Sequence, residues 1–314
     1  MFFLFRALVL ILGVIVDRVF GDPDTRFHPV ALLGSLISLW GVPARYAQYS
    51  HRVQCLIGVF FWVLTGLFFT LPYALFEVYS PPLFYLIGAP FLFSSCMAVS
   101  GLLAHARAVS DIEDLAQMRQ NAQYLVSRDT GILTKEQVLS ASYESVSENL
   151  TDSIIAPLFY FCLFGLPGIA FYRAANTMDA MLGYCDERRY LGWCAARADD
   201  VLSYIPARIT GILLIMYFWC IGRGKEALAV YHADCKKRPG YNGGIPISLM
   251  AGGVGVQFDK PGVYVIGTKE RSLFEAKRDI SRAVIITTLL FILCAAFILF
   301  LLQLFIVHRA LCIV

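Results

Sequence analysis

Charge is scarce in this chain: 16% of its 314 residues are Asp, Glu, Lys or Arg, against 58% that are hydrophobic. With a mean hydropathy of +0.65, that balance excludes an ordinary soluble domain. The basic residues are scattered and the net charge is +3, so no basic run points to a nucleic-acid partner. Nine cysteines lie between Cys55 and Cys312 without a CxxC pair or a Cys/His cluster, which argues against a disulfide framework or a zinc site. Most of them read as small apolar packers. No G-x-x-x-x-G-K-[ST] element occurs, so a P-loop is excluded, and G-x-S-x-G, H-E-x-x-H and G-x-G-x-x-G are missing too. No internal repeat, low-complexity tract or Gly/Ser-rich linker divides the sequence.

Long apolar runs are what the chain does have. Phe2 to Val16, Leu56 to Phe76, Leu83 to Leu103 and Val284 to Val307 approach or exceed the roughly 20 residues a helix needs to span hydrocarbon. The first is marginal, and it lacks both a basic cluster in front and an A-x-A-like site behind, so it reads as a retained anchor. Ile154 to Phe171 and Ile205 to Ile221 are shorter, and the former contains Pro157 and Pro167. These two runs are tilted spans or re-entrant helices buried among the others. The pattern predicts one domain over residues 1–314: an all-α polytopic membrane protein with about four to six transmembrane or re-entrant helices and cytoplasmic helical loops.

Basic residues outside the runs orient it. Arg18, Arg26, Arg45 and Arg52 place the first connection in the cytoplasm, and none lies between Glu77 and Pro82, which reads as external. Arg107, Arg119, Arg128 and Lys135, and then the densely basic 222–283, return to the inner side. The segment from Tyr172 to Tyr204 carries Arg173, Arg188, Arg189 and Arg197, and it breaks the alternation if both short runs cross. Re-entrant runs would restore it. Within the loops, Ser110 to Val146 predicts amphipathic helices joined near Asp129-Thr130-Gly131, and Pro239 to Gly267, rich in Gly and Pro, predicts irregular structure.

Between Tyr143 and Arg208 the chain crowds carboxylates, amides and arginines against apolar segments. Ionisable groups at a membrane boundary are costly unless paired, hydrated or bound to a ligand. Glu144, Glu148 and Asp152 are spaced i, i+4, i+8, which on an α-helix stacks three carboxylates on one face. Their repulsion would be relieved by a cation such as Mg²⁺, which suits all-oxygen ligands, or by arginines from another segment. A solvated acidic face is the plainer alternative. Arg173, Asn176 and Asp179 share another face, suited to a phosphate or carboxylate or to a local ion pair. Asp199 and Asp200 precede Pro206 and Arg208. The acids fit a cap and a surface charge or a site, while Arg208, just inside an apolar run, snorkels or grips an anion. Near the N-terminus, Asp17, Asp22, Pro23, His28 and Pro29 form a polar, turn-rich exit in which His28 reads first as a structural hydrogen-bonder.

Several longer motifs occur in order: DRVFGDPDTRFHPVALLG from Asp17, SRDT from Ser127, ESVSEN with Asp152, YRAANTMDAMLGY from Tyr172, and ARADD with PARITG from Ala196. Over almost its whole length the chain resembles the adenosylcobinamide-phosphate synthase family of cobalamin biosynthesis, the CobD/CbiB membrane proteins. The resemblance implies an enzyme of the bacterial inner membrane with its site on the cytoplasmic side, an ATP-dependent acid–amine ligase. Its substrates would be adenosylcobyric acid and (R)-1-amino-2-propanol or its O-phosphate, with ATP and Mg²⁺ required and other late corrin-pathway membrane enzymes as neighbours. In that scheme Glu144, Glu148 and Asp152, with Asp199 and Asp200, would hold Mg²⁺ or act as base. Arg128, Arg173 and Arg208 would bind phosphates or the carboxylate, Asn149 and Asn176 would orient substrate, and Asp22, His28, Asp179, Arg238 and Asn242 would complete the binding set. The chain departs from the family pattern in two places. It reads Asp199-Asp200-Val201-Leu202-Ser203 where DDxxN is usual, and Arg238-Pro239-Gly240-Tyr241-Asn242-Gly243-Gly244 where H-x-S-P-N-A-G is usual. The added Arg238 favours a phosphorylated amine, ethanolamine phosphate among them. A transporter, or a non-catalytic membrane protein of the same fold, is the competing class.

Overall fold

A computed structural model describes residues 2–21, 28–126 and 128–312. Its α-helices are α1 (Phe2–Phe20), α2 (Pro29–Trp40), α3 (His51–Tyr79), α4 (Pro82–Ser94), α5 (Val99–Ser110), α6 (Leu115–Gln123) and α7 (Lys135–Asn149). A π-helical turn, Leu150–Ile155, joins α7 to α8 (Ala156–Leu182). Then come α9 (Trp193–Leu202), α10 (Tyr204–Cys220), α11 (Gly224–Asp234), α12 (Gly244–Val254), strands β1 (Gln257–Lys260) and β2 (Tyr264–Gly267), and α13 (Leu273–Cys312). Four helical stretches are long and apolar enough to cross a membrane: His51–Tyr79, Pro82–Ser110, Lys135–Leu182 and Leu273–Arg309. The α9–α10 pair makes a fifth if it counts as one span. The chain is an all-α polytopic membrane protein, as its apolar runs require.

Contacts divide it into two compact units, each assembled from segments distant in sequence. The first comprises residues 1–98, 156–202 and 292–314, the second 99–155 and 203–291.

In the first unit, Leu33, Ile37 and Trp40 of α2 pack with Ala174, Met178 and Leu182 of α8 and with Leu191 and Ala195, and Trp40 Nε1 donates to Thr65 Oγ1 of α3 at 3.0 Å. Helix α8 is not continuous, because Gly165 sits at φ 72°, ψ −150°, outside helical space, and Pro167 follows. A straight helix would separate Tyr160 and Tyr172 by about 18 Å. Their rings instead stack with centroids 5.2 Å apart. The chain therefore reverses at Gly165, and Ile154 to Phe171 is not one crossing.

The tip of this hairpin is closed by a buried ion pair. Arg6 Nη2 meets Glu77 Oε1 at 3.0 Å, Arg6 Nη1 donates to the Leu163 carbonyl at 3.1 Å, and Glu77 Oε2 accepts from the Leu166 amide at 2.5 Å. These groups satisfy backbone that the break in the helix leaves without intrahelical partners. From the tip the returning arm follows α3: Phe171 packs edge-on against Trp62, and beyond the arm Leu191 presses on Gly58 while Tyr190 stacks on His51 at 3.8 Å. Glu77 and His51 are opposite ends of α3, so the polar segment after Tyr172 lies toward the α3 end that follows the first connection.

In the second unit, α6 and α7 flank the turn at 129–131 as expected, but α7 is buried from Val138 to Ser147 where a solvated acidic face was one expectation. Thr134 and Gln137 form a capping box at its start. The expected irregular stretch is in fact ordered: α12 is buried at every position, and β1 and β2 pair antiparallel with Tyr264 opposite Lys260. Small residues make α12 possible. A Cβ on Gly252 would strike the Glu226 carbonyl and Val230 of α11, and one on Gly253 would strike Phe218 of α10.

Candidate functional site

The second unit gathers an alternating set of acids and bases around α7. Glu144, 3% exposed, is held at both oxygens: Arg128 Nη2 donates to Oε2 at 2.9 Å, and the Tyr264 hydroxyl donates to Oε1 at 2.6 Å. One turn on, Glu148 is paired with Arg238. Burial disfavours the charge on Arg238, but Glu148, Tyr264, Asp152 and Glu144 together more than offset this and hold the guanidinium above its ordinary value. Burial and then the adjacent Glu144 carboxylate raise the Tyr264 phenol well above 10.0, so it stays a proton donor. Arg128 Nη1 and Thr151 Oγ1 are buried with no hydrogen-bond partner. An unmet buried donor costs roughly 1–3 kcal/mol, and more on a charged group such as Arg128.

The three carboxylates of the expected stripe surround an arginine. A π-turn begins at Leu150, between Glu148 and Asp152, yet Asp152 acts on the same Arg238 guanidinium as Glu144 and Glu148. Among the described residues no three His, Cys, Asp or Glu side chains gather as a cation site. Arginines relieve the repulsion here, the other option the spacing left open.

Other expected residues have local duties. Asn149 is spent along its own helix, donating to Ser145 O at 3.0 Å and accepting from Ser153 Oγ at 2.8 Å. Arg208 stacks on Tyr204 at 3.5 Å and donates to Asn242 Oδ1 at 2.7 Å and Tyr241 O at 3.1 Å, fastening the turn before α12. In the first unit, Asn176 Nδ2 donates to Asp199 Oδ1 at 3.2 Å, and Asp200 pairs with Arg197 at 3.2 Å near the surface. Arg173 leaves its Nε buried without an acceptor, while Asp179 lies against Gly183, whose amide bonds the Asp179 carbonyl at 2.7 Å. His28 Nδ1 accepts from Val30 N at 3.3 Å and caps α2, the structural role. Asp22 lies outside the described residues.

Tyr264 was missed by the sequence reading. Its signal was the run Tyr264-Val265-Ile266 bounded by Gly262 and Gly267, an aromatic and β-branched stretch between turn residues that spells a strand. Asp234 was missed as well; it accepts from Gly267 N at 2.7 Å and so holds β2 in place. A separate cleft of about 590 Å³ in this unit is lined by Lys135, Glu136, Asp259, Lys269, Phe274 and Lys277 among others, but by none of the residues around Glu144. Its bases face acids, as in Lys269–Glu136 at 2.8 Å and Lys277–Asp111 at 2.7 Å.

Fold and site together define a polytopic membrane protein with a buried network of arginines, glutamates and a tyrosine. A sequence model of the CobD/Cbib protein family matches residues 10–310, and the chain belongs to that family, whose curated members are named for cobalamin biosynthesis. It is 39% identical over 293 residues to the probable cobalamin biosynthesis protein CobD of Methanothermobacter thermautotrophicus, covering 92% of this chain and 96% of that protein. It is 36% identical over 274 residues to the cobalamin biosynthesis protein CobD of Dehalococcoides mccartyi, covering 85% and 88%. A Pyrococcus abyssi relative is 38% identical over 275 residues, covering 86% and 89%. No solved structure matches.

Proposed function

We propose that this chain is an ATP-dependent amide ligase that joins a carboxylate of adenosylcobyric acid to (R)-1-amino-2-propanol or its O-phosphate. The observation that carries this is the pairing of Glu148 with Arg238 beside Arg128 and Glu144, in a chain of the CobD/Cbib family. The acid must first be activated: its carboxylate oxygen attacks the γ-phosphorus of ATP, giving an acyl phosphate and ADP. The amine then attacks the acyl carbon, phosphate leaves, and the proton lost from nitrogen needs an acceptor. Mg²⁺ arriving with ATP supplies charge neutralisation at the phosphates. Arg128 and Arg238 bind the anionic oxygens. A phosphate that engages Arg238 competes with Glu148 for the guanidinium, and the released carboxylate becomes the proton acceptor. Arg238 thereby favours a phosphorylated amine, the aminopropanol or the ethanolamine form. The end of the first unit that holds Asn176 and Asp199 faces the cytoplasm of a cell membrane, as the basic residues of 17–52 and 172–204 indicate.

The test is ligation in vitro with ATP, Mg²⁺ and adenosylcobyric acid, offering aminopropanol, aminopropanol phosphate and ethanolamine phosphate in competition. The mass of the product identifies reaction and amine together. Absence of any corrinoid amide from active, folded protein would overturn the proposal.

A further inference from the structure

Every oxygen of Glu144 is already engaged. Tyr264 donates to one and Arg128 to the other, in a pocket that leaves Glu144 3% exposed and Tyr264 7% exposed. A carboxylate so committed makes a poor proton acceptor and a poor metal ligand, because either duty would require it to give up a buried partner. What the arrangement leaves over is on Arg128. Its Nη2 is tied down, while its Nη1 is buried with no acceptor. A guanidinium fixed along one edge offers the other at a set angle, which is the geometry that planar recognition of phosphate or carboxylate uses.

We propose that Tyr264 and Glu144 are positioning residues that lock Arg128 with Nη1 reserved for a phosphoryl oxygen of the ligand, and that neither is the base or a cation ligand. The assignment rests on the ligase reading for the identity of the ligand but not for the presence of an anion grip. Tyr264 comes from the β1–β2 hairpin and Glu144 from α7, with 120 residues between them, so the lock exists only in the folded chain.

The experiment uses the full chain in lipid nanodiscs, with inorganic pyrophosphate and ethanolamine phosphate as probes in a titration calorimeter. Pyrophosphate binding points to the nucleotide as the source of the oxygen, ethanolamine phosphate binding to the amine. Wild type binds at least one probe. Glu144→Gln weakens that probe about 10- to 100-fold, Tyr264→Phe about 5-fold, and Arg128→Gln at least as much as Glu144→Gln. The double variant Arg128→Gln with Glu144→Gln is no weaker than Arg128→Gln alone, because Glu144 acts only through the arginine. In ligation, Glu144→Gln raises KM for the same phosphorylated substrate and leaves the Mg²⁺ concentration for half-maximal rate unchanged. Wild type that binds neither probe, multiplicative losses in the double variant, or a raised Mg²⁺ requirement would each overturn the proposal. The binding pattern without any amide product would uphold the lock while removing the ligase reading.

Discussion

The arginine–glutamate pair at the tip of the α8 hairpin and the pair Glu148–Arg238 beside α7 differ in what their charges are tied to. At the tip of the α8 hairpin, Arg6 and Glu77 are 8% and 12% exposed, and both spend their remaining hydrogen-bonding capacity on backbone: the Leu163 carbonyl and the Leu166 amide. Around α7, Glu148 and Arg238 are about twice to three times as accessible, at 26% and 24%, and the one backbone bond of Arg238, to the carbonyl of its neighbour Pro239, closes no broken helix. Charges that close backbone are structural, because their removal strands buried amides and carbonyls. More accessible charges that close no broken backbone can exchange partners, and a ligand can be one of them.

That contrast can be broken most severely at the hairpin tip. Glu77→Ala leaves Arg6 uncompensated in apolar surroundings and should cost about 3–5 kcal/mol, seen as loss of the folded peak in detergent chromatography. A yield and melting temperature equal to wild type would show that the tip does not depend on the pair. Arg238→Ala should reverse the balance of effects. Amide formation falls on the order of 10²-fold or more, while the melting temperature drops far less than for Glu77→Ala. Equal damage to activity and stability would erase the distinction between the two pairs.

Smaller changes sharpen it. Gly165→Ala forces a side chain to φ 72° and drives its Cβ into the Glu77 carboxylate, so beyond roughly 1–2 kcal/mol for the backbone conformation the hairpin tip must shift. Thermal unfolding reads this, and a neutral result would mean that the reversal is made elsewhere. Tyr264→Phe is the mildest, about 1 kcal/mol near neutral pH. Because the folded chain raises this phenol above 10.0, the native state keeps a proton that the unfolded chain releases above that pH. The contribution is therefore complete below about pH 10 and declines as pH rises further. The stability gap between wild type and Tyr264→Phe should narrow in alkaline denaturant titrations, and a gap that widens would contradict the sign of the shift.

Much of the architecture was legible without coordinates because hydrocarbon is an undemanding reader: it asks only for length and apolarity. The apolar runs told on the fold in this way, and the turn at 129–131 through its turn-favouring residues. The stretch from Pro239 to Gly267 was misread because Gly and Pro signal turns when exposed, yet in α12 the glycines serve close helix packing that only the neighbours Glu226, Val230 and Phe218 reveal. Within the candidate site, the sequence brought out Arg128, Glu144, Glu148 and Arg238 as residues worth explaining. It did not tell which arginine meets which glutamate, and it missed Tyr264 because that partner comes from a strand hairpin 120 residues away.

The sequence by itself determined that this is a helical membrane protein of a cobalamin-biosynthesis family, since composition, apolar run length and ordered motifs are properties of the chain that survive unfolding. Only the tertiary structure decided that α8 turns back at Gly165, that Arg238 pairs with Glu148, and that Glu144 is committed to Tyr264 and Arg128. Those outcomes depend on which distant groups meet in a low-dielectric interior, where an unpaired charge is too costly to keep and each pairing forecloses another.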